Sequence, residues 1–291
     1  MTTPTDARTV FPAPTTRPAP TTRPAPTPAA APTASTHRRV EVTWVGGPTL
    51  LLRYAGATLL TDPTFDPAPA QYPGRVVLHK LVGPALTPAE LGPVDVVLLS
   101  HDEHADNLDV AGRALLADVP TVLSTTGAGG RVPGVRGLEP WEHVDLDLGD
   151  DGGVRVTAVP ARHGPEGSEP LSGPVVGFVL EAAGRPTVYV SGDNASLDVV
   201  DQVARRFPTI GLAVLFVGGA NVGRFGDEPL TLDARRASAA ADLLAGARVV
   251  PVHHSDWAHF VEPLDALVAR FEAGGRRDRL VLLDRGVPTP V

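Results

Sequence analysis

Along most of this chain the apolar residues come in short runs, each stopped by a polar residue, a glycine or a proline. Val40-Glu41-Val42-Thr43-Trp44-Val45 alternates, which predicts a strand, and Gly46-Gly47-Pro48 predicts the turn after it. Thr49–Tyr54 and Ala57–Thr61, separated by Gly56, continue as hairpin strands. The nearly unbroken run Val94–Leu99 predicts a buried strand. Leu108, Ala111, Leu115 and Leu116 then recur at helical spacing up to Pro120, and Thr121–Ser124 predicts another short strand. Further strands are expected at Val154–Val159, Val175–Leu180, Thr187–Val190, Leu212–Val217, Val249–Val252 and Leu280–Leu283. Helices are expected at about 196–207, 231–245 and 261–273. Hairpins first and strand–helix alternation afterwards suggest two sheets sandwiched between helices.

The polar residues that interrupt this pattern fall at strand ends. His101, Asp102, Glu103, His104 and Asp106 follow the Val94–Leu99 run. His163 follows a second strand, Asp193 a third, and His253-His254 a fourth. Carboxylates and imidazoles at the end of a buried strand are costly unless something pairs with them. A divalent metal is such a partner, because carboxylate oxygen and neutral imidazole are its preferred ligands here. Each residue alone has a plainer explanation: a loop histidine for His163, a turn or helix cap for Asp193, a surface pair for His253-His254, an acidic helix start for the 101–109 segment. Their recurrence in one structural context favours convergence on a single metal site.

Composition narrows the choice. The chain has 291 residues, 43% of them hydrophobic, enough for a large core. It has no cysteine, so disulfides and thiolate metal sites are excluded and any metal must be held by nitrogen and oxygen. The net charge of −8, with no basic run after the first residues, argues against nucleic-acid binding. Lys80 is the only lysine. No apolar run approaches a membrane span and the N-terminus lacks a secretory pattern, so a cytoplasmic protein is expected. Residues 1–38 are rich in Pro, Thr and Ala, with Thr-Thr-Arg-Pro-Ala-Pro at 15–20 and again at 21–26. Such a stretch has too little apolar surface to offset its ordering entropy and is expected to be a disordered tail before a single domain over 39–291.

The ordered set of motifs resembles the metallo-β-lactamase superfamily, specifically its branch similar to ascorbate-6-phosphate lactonase and N-acyl phosphatidylethanolamine phospholipase D. Leu60-Thr61-Asp62-Pro63 resembles the first motif, whose aspartate orients the metal loop. Ser100 through Asp109 resembles the H-x-H-x-D-H metal motif. Pro160-Ala161-Arg162-His163-Gly164 resembles the motif with the next metal histidine, and Ser191-Gly192-Asp193 the one whose aspartate bridges two metals. Pro251-Val252-His253, with Trp257 and Phe260 following, resembles the last motif, whose histidine binds the second metal. The resemblance covers about residues 40–285. It implies an α+β fold, a four-layer αββα sandwich, with one or two divalent ions, zinc or manganese, at one edge of the two sheets.

The chain departs from the pattern at one place. Aligned on His104-Ala105-Asp106, the first motif histidine falls on Asp102 and the last on Asn107, with His101 one residue early. The first metal site implied by the resemblance is His104, His163 and either Asp102 or His101, with Asp193 shared. The second is Asp106, Asp193 and His253, with Asn107 a poor ligand and His254 a partial substitute. The implied activity is hydrolysis of an ester, lactone or phosphodiester of a small molecule by a hydroxide generated on the metal, with Asp106 handling its proton and Asp193 setting the metal spacing. Arg162 is a candidate anion-binding group, or else a surface arginine. The competing expectation is a member that has lost catalysis and serves as a binding or scaffold module. No interface is legible, so the oligomeric state stays open.

Overall fold

A computed structural model describes residues 40–148 and 153–291, all within one unit spanning 34–291. The Pro/Thr/Ala-rich stretch over 1–38 lies outside the described residues.

The chain begins with the antiparallel strands β1 (Glu41–Gly46), β2 (Thr49–Tyr54) and β3 (Ala57–Thr61). A small hairpin follows, β4 (Ala70–Tyr72) and β5 (Leu78–Lys80), then the short helix α1 (Pro88–Leu91). Next come β6 (Val96–Leu98), α2 (Val110–Leu115), β7 (Thr121–Thr125), α3 (Thr126–Arg131) and β8 (Val135–Leu138). The second half holds β9 (His143–Leu146), β10 (Val154–Ala161), α4 (Glu169–Ser172), β11 (Val175–Glu181), β12 (Thr187–Val190) and α5 (Leu197–Arg206). It closes with β13 (Ile210–Phe216), α6 (Ala234–Leu243), β14 (Arg248–Val252), α7 (Leu264–Ala273) and β15 (Thr289–Pro290).

One sheet has the order β15-β1-β2-β3-β6-β7-β8 and the other β14-β13-β12-β11-β10-β9. Strand alternation shows how they stack. Leu50, Leu52 and Tyr54 of β2 join Val156, Phe178 and Val214 of the other sheet in one core between the sheets. The intervening Leu51 faces outward, with Val97 and Leu99, against Leu91, Leu108, Leu116 and Val132 on the helical side. On the second sheet Leu212, Val214 and Phe216 face the inter-sheet core, while Ala213 and Leu215 pack on Val200, Val203, Ala237 and Phe271 from α5, α6 and α7. Both faces of both sheets are therefore covered, which is why the strands read as nearly continuous apolar runs. The result is a four-layer αββα sandwich.

One expected strand is absent. Leu280–Leu283 makes only an isolated bridge, Val249 to Leu280, and then crosses to the first sheet, where Arg285 bridges to Trp44. Its apolar residues serve two different layers: Leu280 packs on the helical side and Val281 in the inter-sheet core. Among the described residues no helix is long and apolar enough to cross a membrane.

The topology decides where chemistry can sit. β3 and β6 run parallel, as do β12, β13 and β14, and β10 runs the same way as β12 because each is antiparallel to β11. The loops after β3, β6, β10, β12 and β14 emerge at the carboxyl ends of like-directed strands, the usual position of a ligand crevice.

Candidate metal centre

The site is built outward from Asp62, the residue after β3. Its backbone N–H donates to Leu98 O, and its Oδ1 accepts from both the backbone N–H and the Oγ of Ser100, at 2.8 Å each. Burial pushes the Asp62 carboxyl well above its usual range, while the two Ser100 donors pull the other way. With its proton given to Asp62, Ser100 Oγ is left to accept from His101 Nδ1, 3.0 Å away. That relay fixes the tautomer of His101 and leaves Nε2 with its lone pair, 2.8 Å from His104 Nδ1. His163 is held in the same sense from another loop. Its Nδ1 donates to the carbonyl of Leu230 at 2.8 Å, so its Nε2 is also the lone-pair nitrogen.

Two groups of donor atoms converge. His101, His104, His163 and Asp193 form one; Asp106, His253 and His259 form the other, with the ligand atoms of each group within 4.8 Å of one another. Asp193 joins them, with Oδ2 3.6 Å from His163 Nε2 and Oδ1 3.3 Å from His253 Nε2. Gly192 lets the chain turn here. It has φ +57°, and a Cβ on it would lie 2.6 Å from Val176 O and 3.0 Å from Ser100 Cβ. His253 takes the left-handed conformation (φ 56°) without being glycine, with its N–H donating to Gly47 O at 2.8 Å, a strained geometry of the kind found at functional sites.

The electrostatics of the two groups differ. Burial, reinforced by neighbouring imidazoles, holds His101 well below the usual histidine range and His104 down at about 4. Both are therefore neutral, the form a metal needs. Burial also opposes charge on His253, but Asp193 and then Asp106 outweigh it and raise its pKa to about 10. Burial would raise the two carboxyls, yet His259 and His253 hold Asp106 below the usual range, and His253 and His163 do the same for Asp193.

The hydrogen-bond account stays incomplete. Asp106 Oδ1, Asp193 Oδ2, both ring nitrogens of His253 and His259 Nδ1 are buried without a hydrogen-bond partner. Buried polar atoms are rarely left so. Such atoms on carboxylates and imidazoles of the two converging groups are the donor types a divalent cation takes, and the residues present fit it. A cleft of about 430 Å³ opens over both groups, where His104, Asp106, His163 and His259 reach its surface.

Of the residues singled out from the sequence, His101, His104, Asp106, His163, Asp193 and His253 are brought together. Asp102 is not. Its carboxylate accepts from Arg131 Nε at 3.1 Å and Nη2 at 2.5 Å, with Arg113 3.9 Å away, so α2 and α3 draw it from the cluster and His101 stands in its place. Asn107 turns its amide Nδ2 toward Ser100 Oγ and Asp193 Oδ1, 3.4 Å from each, and its Oδ1 is buried without a partner; it stands outside the two groups of ligand atoms. His254 packs its ring on Trp44, 5.0 Å between centroids, outside both groups, and burial lowers it to about 4. Arg162 bonds to Ser196 Oγ at 2.6 Å and does not line the cleft, so its expected anion-binding role is not supported. Trp257 packs on Tyr72, and Phe260 stacks on His253 and His259; neither lines the cleft.

His259 is the residue that sequence pattern missed. It lies in a loop beyond β14, between the aromatics Trp257 and Phe260, and its Nε2 is 3.0 Å from Asp106 Oδ2. Its only signal was a third histidine close behind His253-His254.

A family model described as a beta-lactamase superfamily domain matches residues 57–254. Among curated proteins, a UPF0173 metal-dependent hydrolase of Anaeromyxobacter dehalogenans is 28% identical over 234 residues, 74% of each chain. Another of that name from Pyrobaculum arsenaticum is 26% identical and covers 84% of this chain and 96% of its own. Among solved structures, a possible metal-dependent hydrolase from Veillonella parvula superposes with a TM-score of 0.73 at 19% identity, over 87% of this chain and 100% of that one. The isothiocyanate hydrolase from Delia radicum gut bacteria gives 0.71 at 21% identity, over 86% and 98%. These two likenesses are of fold.

Proposed function

Because the chain belongs to the beta-lactamase superfamily, we propose that it is a metal-dependent hydrolase acting on an ester, lactone or phosphodiester bond of a small molecule. The relatives named metal-dependent hydrolases support this. The observation that carries it is the set of buried, unpartnered donor atoms at the floor of the cleft.

One divalent ion, zinc or manganese, would be held by His101, His104, His163 and Asp193, and a second by Asp106, His253, His259 and the other oxygen of Asp193. Bound there, such ions would bring the pKa of water to roughly 7 and polarise the carbonyl or phosphoryl group under attack. The chain's own contribution is positional and acid–base. Asp62 and Leu230 hold two imidazoles in the tautomer that presents Nε2. Asp193 reaches both groups and sets their separation. Asp106, kept ionised by His259 and His253, lines the cleft where it could take the proton of the attacking water. Asn107 donates toward Asp193 and steadies it, while His259 occupies the place its side chain leaves.

Elemental analysis of the purified protein beside His163→Ala and His104→Ala tests this directly. Bound zinc or manganese in the native protein, lost in both variants, with cleavage of a phosphodiester or lactone probe lost in parallel, supports the assignment. Absence of metal after incubation with excess ion overturns it and leaves the binding or scaffold role.

A further inference from the structure

The walls of the cleft divide into two kinds of surface. Val76 and Leu78 from the β4–β5 hairpin face it together with Leu171, Val222 and Leu230. Two guanidinium groups, Arg75 and Arg224, share that lining. Arg224 spends one N–H on the Leu171 carbonyl at 2.6 Å and has no carboxylate partner among the described residues. Arg75 has neither a hydrogen bond nor an ion pair among them. The cleft's carboxylate outside the donor groups, Glu103, is already engaged by Arg131. Neither guanidinium is thus paired with a carboxylate among the described residues, and both stand beside an apolar wall.

Arg75 also rides on an anchored hairpin. Tyr72 Oη donates to Asp66 Oδ2 at 2.8 Å, and Lys80 Nζ donates to Asp109 Oδ2 at 2.8 Å, one at each strand of the hairpin. Leu81 N–H donates to Asp256 O, and Ala258 N–H to His79 O, so the hairpin is stitched to the loop that carries His259. Arg75 lies in the turn of this anchored hairpin and lines the cleft.

We propose that the substrate is an anionic amphiphile: a hydrolysable ester, lactone or phosphodiester with an apolar segment along the Val76–Leu171–Leu230 wall and a second anionic group, carboxylate or phosphate, held by Arg75 and Arg224. A bidentate guanidinium–oxyanion pair suits both anions. The cleft volume falls in the range that buries a small organic ligand. This rests on the hydrolase reading for the bond that is cut, but not for the recognition of the anion.

The experiment is calorimetric binding to the metal-loaded protein, with octylphosphonate, ethylphosphonate and octanol as probes. Octylphosphonate is expected to bind at least tenfold more tightly than either of the others. Arg224→Gln and Arg75→Gln are each expected to weaken it at least fivefold, with metal content unchanged. Equal affinity for octanol, no binding of octylphosphonate, or affinity untouched by both arginine substitutions overturns the proposal. The third result would mean that the phosphonate is held by the metal ions alone. The probes carry no bond the enzyme could cut, so binding is read apart from turnover: arginine-dependent affinity in a protein that cleaves none of the phosphodiester and lactone probes would sink the hydrolase reading and leave this one standing.

Discussion

Asp106 and Asp109 lie on the same loop and are almost equally buried, at 5% and 2% exposure, yet their surroundings are opposite. Asp109 is complete. Its Oδ1 accepts from the backbone N–H groups of Phe65 and Gly112, and its Oδ2 from that of Asp66 and from Lys80 Nζ, all between 2.7 and 2.9 Å. Asp106 has one oxygen facing two imidazoles at 3.0 and 3.5 Å and the other facing nothing. The first carboxylate is finished by the protein. The second has its donors arranged but not satisfied, the mark of a residue that waits for a ligand.

The comparison breaks most forcefully at the finished end. Asp109→Asn leaves the Lys80 ammonium, 2% exposed, without its counter-charge. Stranding one member of a buried pair costs about 3–5 kcal/mol. Urea unfolding of the metal-free protein is expected to show that loss. The double variant Lys80→Met/Asp109→Asn should recover part of it, because no unpaired charge remains. A single-variant loss under about 1 kcal/mol would mean that the pair contributes no more than a surface ion pair.

Asp106→Asn should behave in the reverse way. Without metal it should cost less than Asp109→Asn does, because one Asp106 oxygen is already unpaired, although His259 and His253 lose the counter-charge that holds Asp106 ionised. What it should lose is the increment that metal confers, about 3–4 kcal/mol at a free-ion level several hundred times Kd. Thermal melts with and without a chelator measure both. If Asp106→Asn destabilises the metal-free protein as much as Asp109→Asn does, the distinction between the two carboxylates is wrong.

How much of this was legible beforehand follows from the kind of signal each residue leaves. The sandwich was legible because both faces of the strands are buried, so Val94–Leu99 and Leu212–Val217 announce themselves as apolar runs. His104, Asp106, His163, Asp193 and His253 stood out because they end such runs. The choice between His101 and Asp102 was not legible, because it is made by Arg113 and Arg131, whose reach to Asp102 depends on how α2 and α3 pack. The importance of Lys80 was invisible for the same reason: its partner is remote in sequence, and a lone lysine is a statement about composition until Asp109 is placed beside it. His259 ends no strand, so a search of strand ends passes it by.

A finer test lies within the unfinished end. If His259 holds the place left by Asn107, His259→Ala should lower metal content by about one ion per chain and weaken that ion at least tenfold, about 1.4 kcal/mol. Asn107→His in the His259→Ala background should restore it. His254→Ala, beside the site but turned to Trp44, should leave the metal count unchanged. Elemental analysis across these variants separates them, and a full metal count in His259→Ala would return the second position to Asn107 or to His254.

The smallest effect extends the same contrast to two buried phenols outside the donor groups. Tyr54 Oη donates to the Pro186 carbonyl at 3.0 Å, whereas Tyr189 Oη has no partner among the described residues. Tyr54→Phe should therefore cost about 1 kcal/mol, while Tyr189→Phe should be neutral or stabilising by a similar amount. Alkaline pH sharpens the first of these. Burial raises Tyr54 from 10.0 to about 12, so the folded protein keeps its proton where the unfolded chain has lost it. That contribution is whole below pH 10 and drains away as pH rises from 10 toward 12, because the unfolded state ionises first. Native protein should lose stability across that window more steeply than Tyr54→Phe does, and parallel curves would show that the phenol exchanges its proton freely in the folded state. An orphaned donor in a dry core is only a cost to be removed, as at Tyr189. Several orphaned carboxylate and imidazole atoms, gathered in two adjoining groups beneath a cleft, are a site.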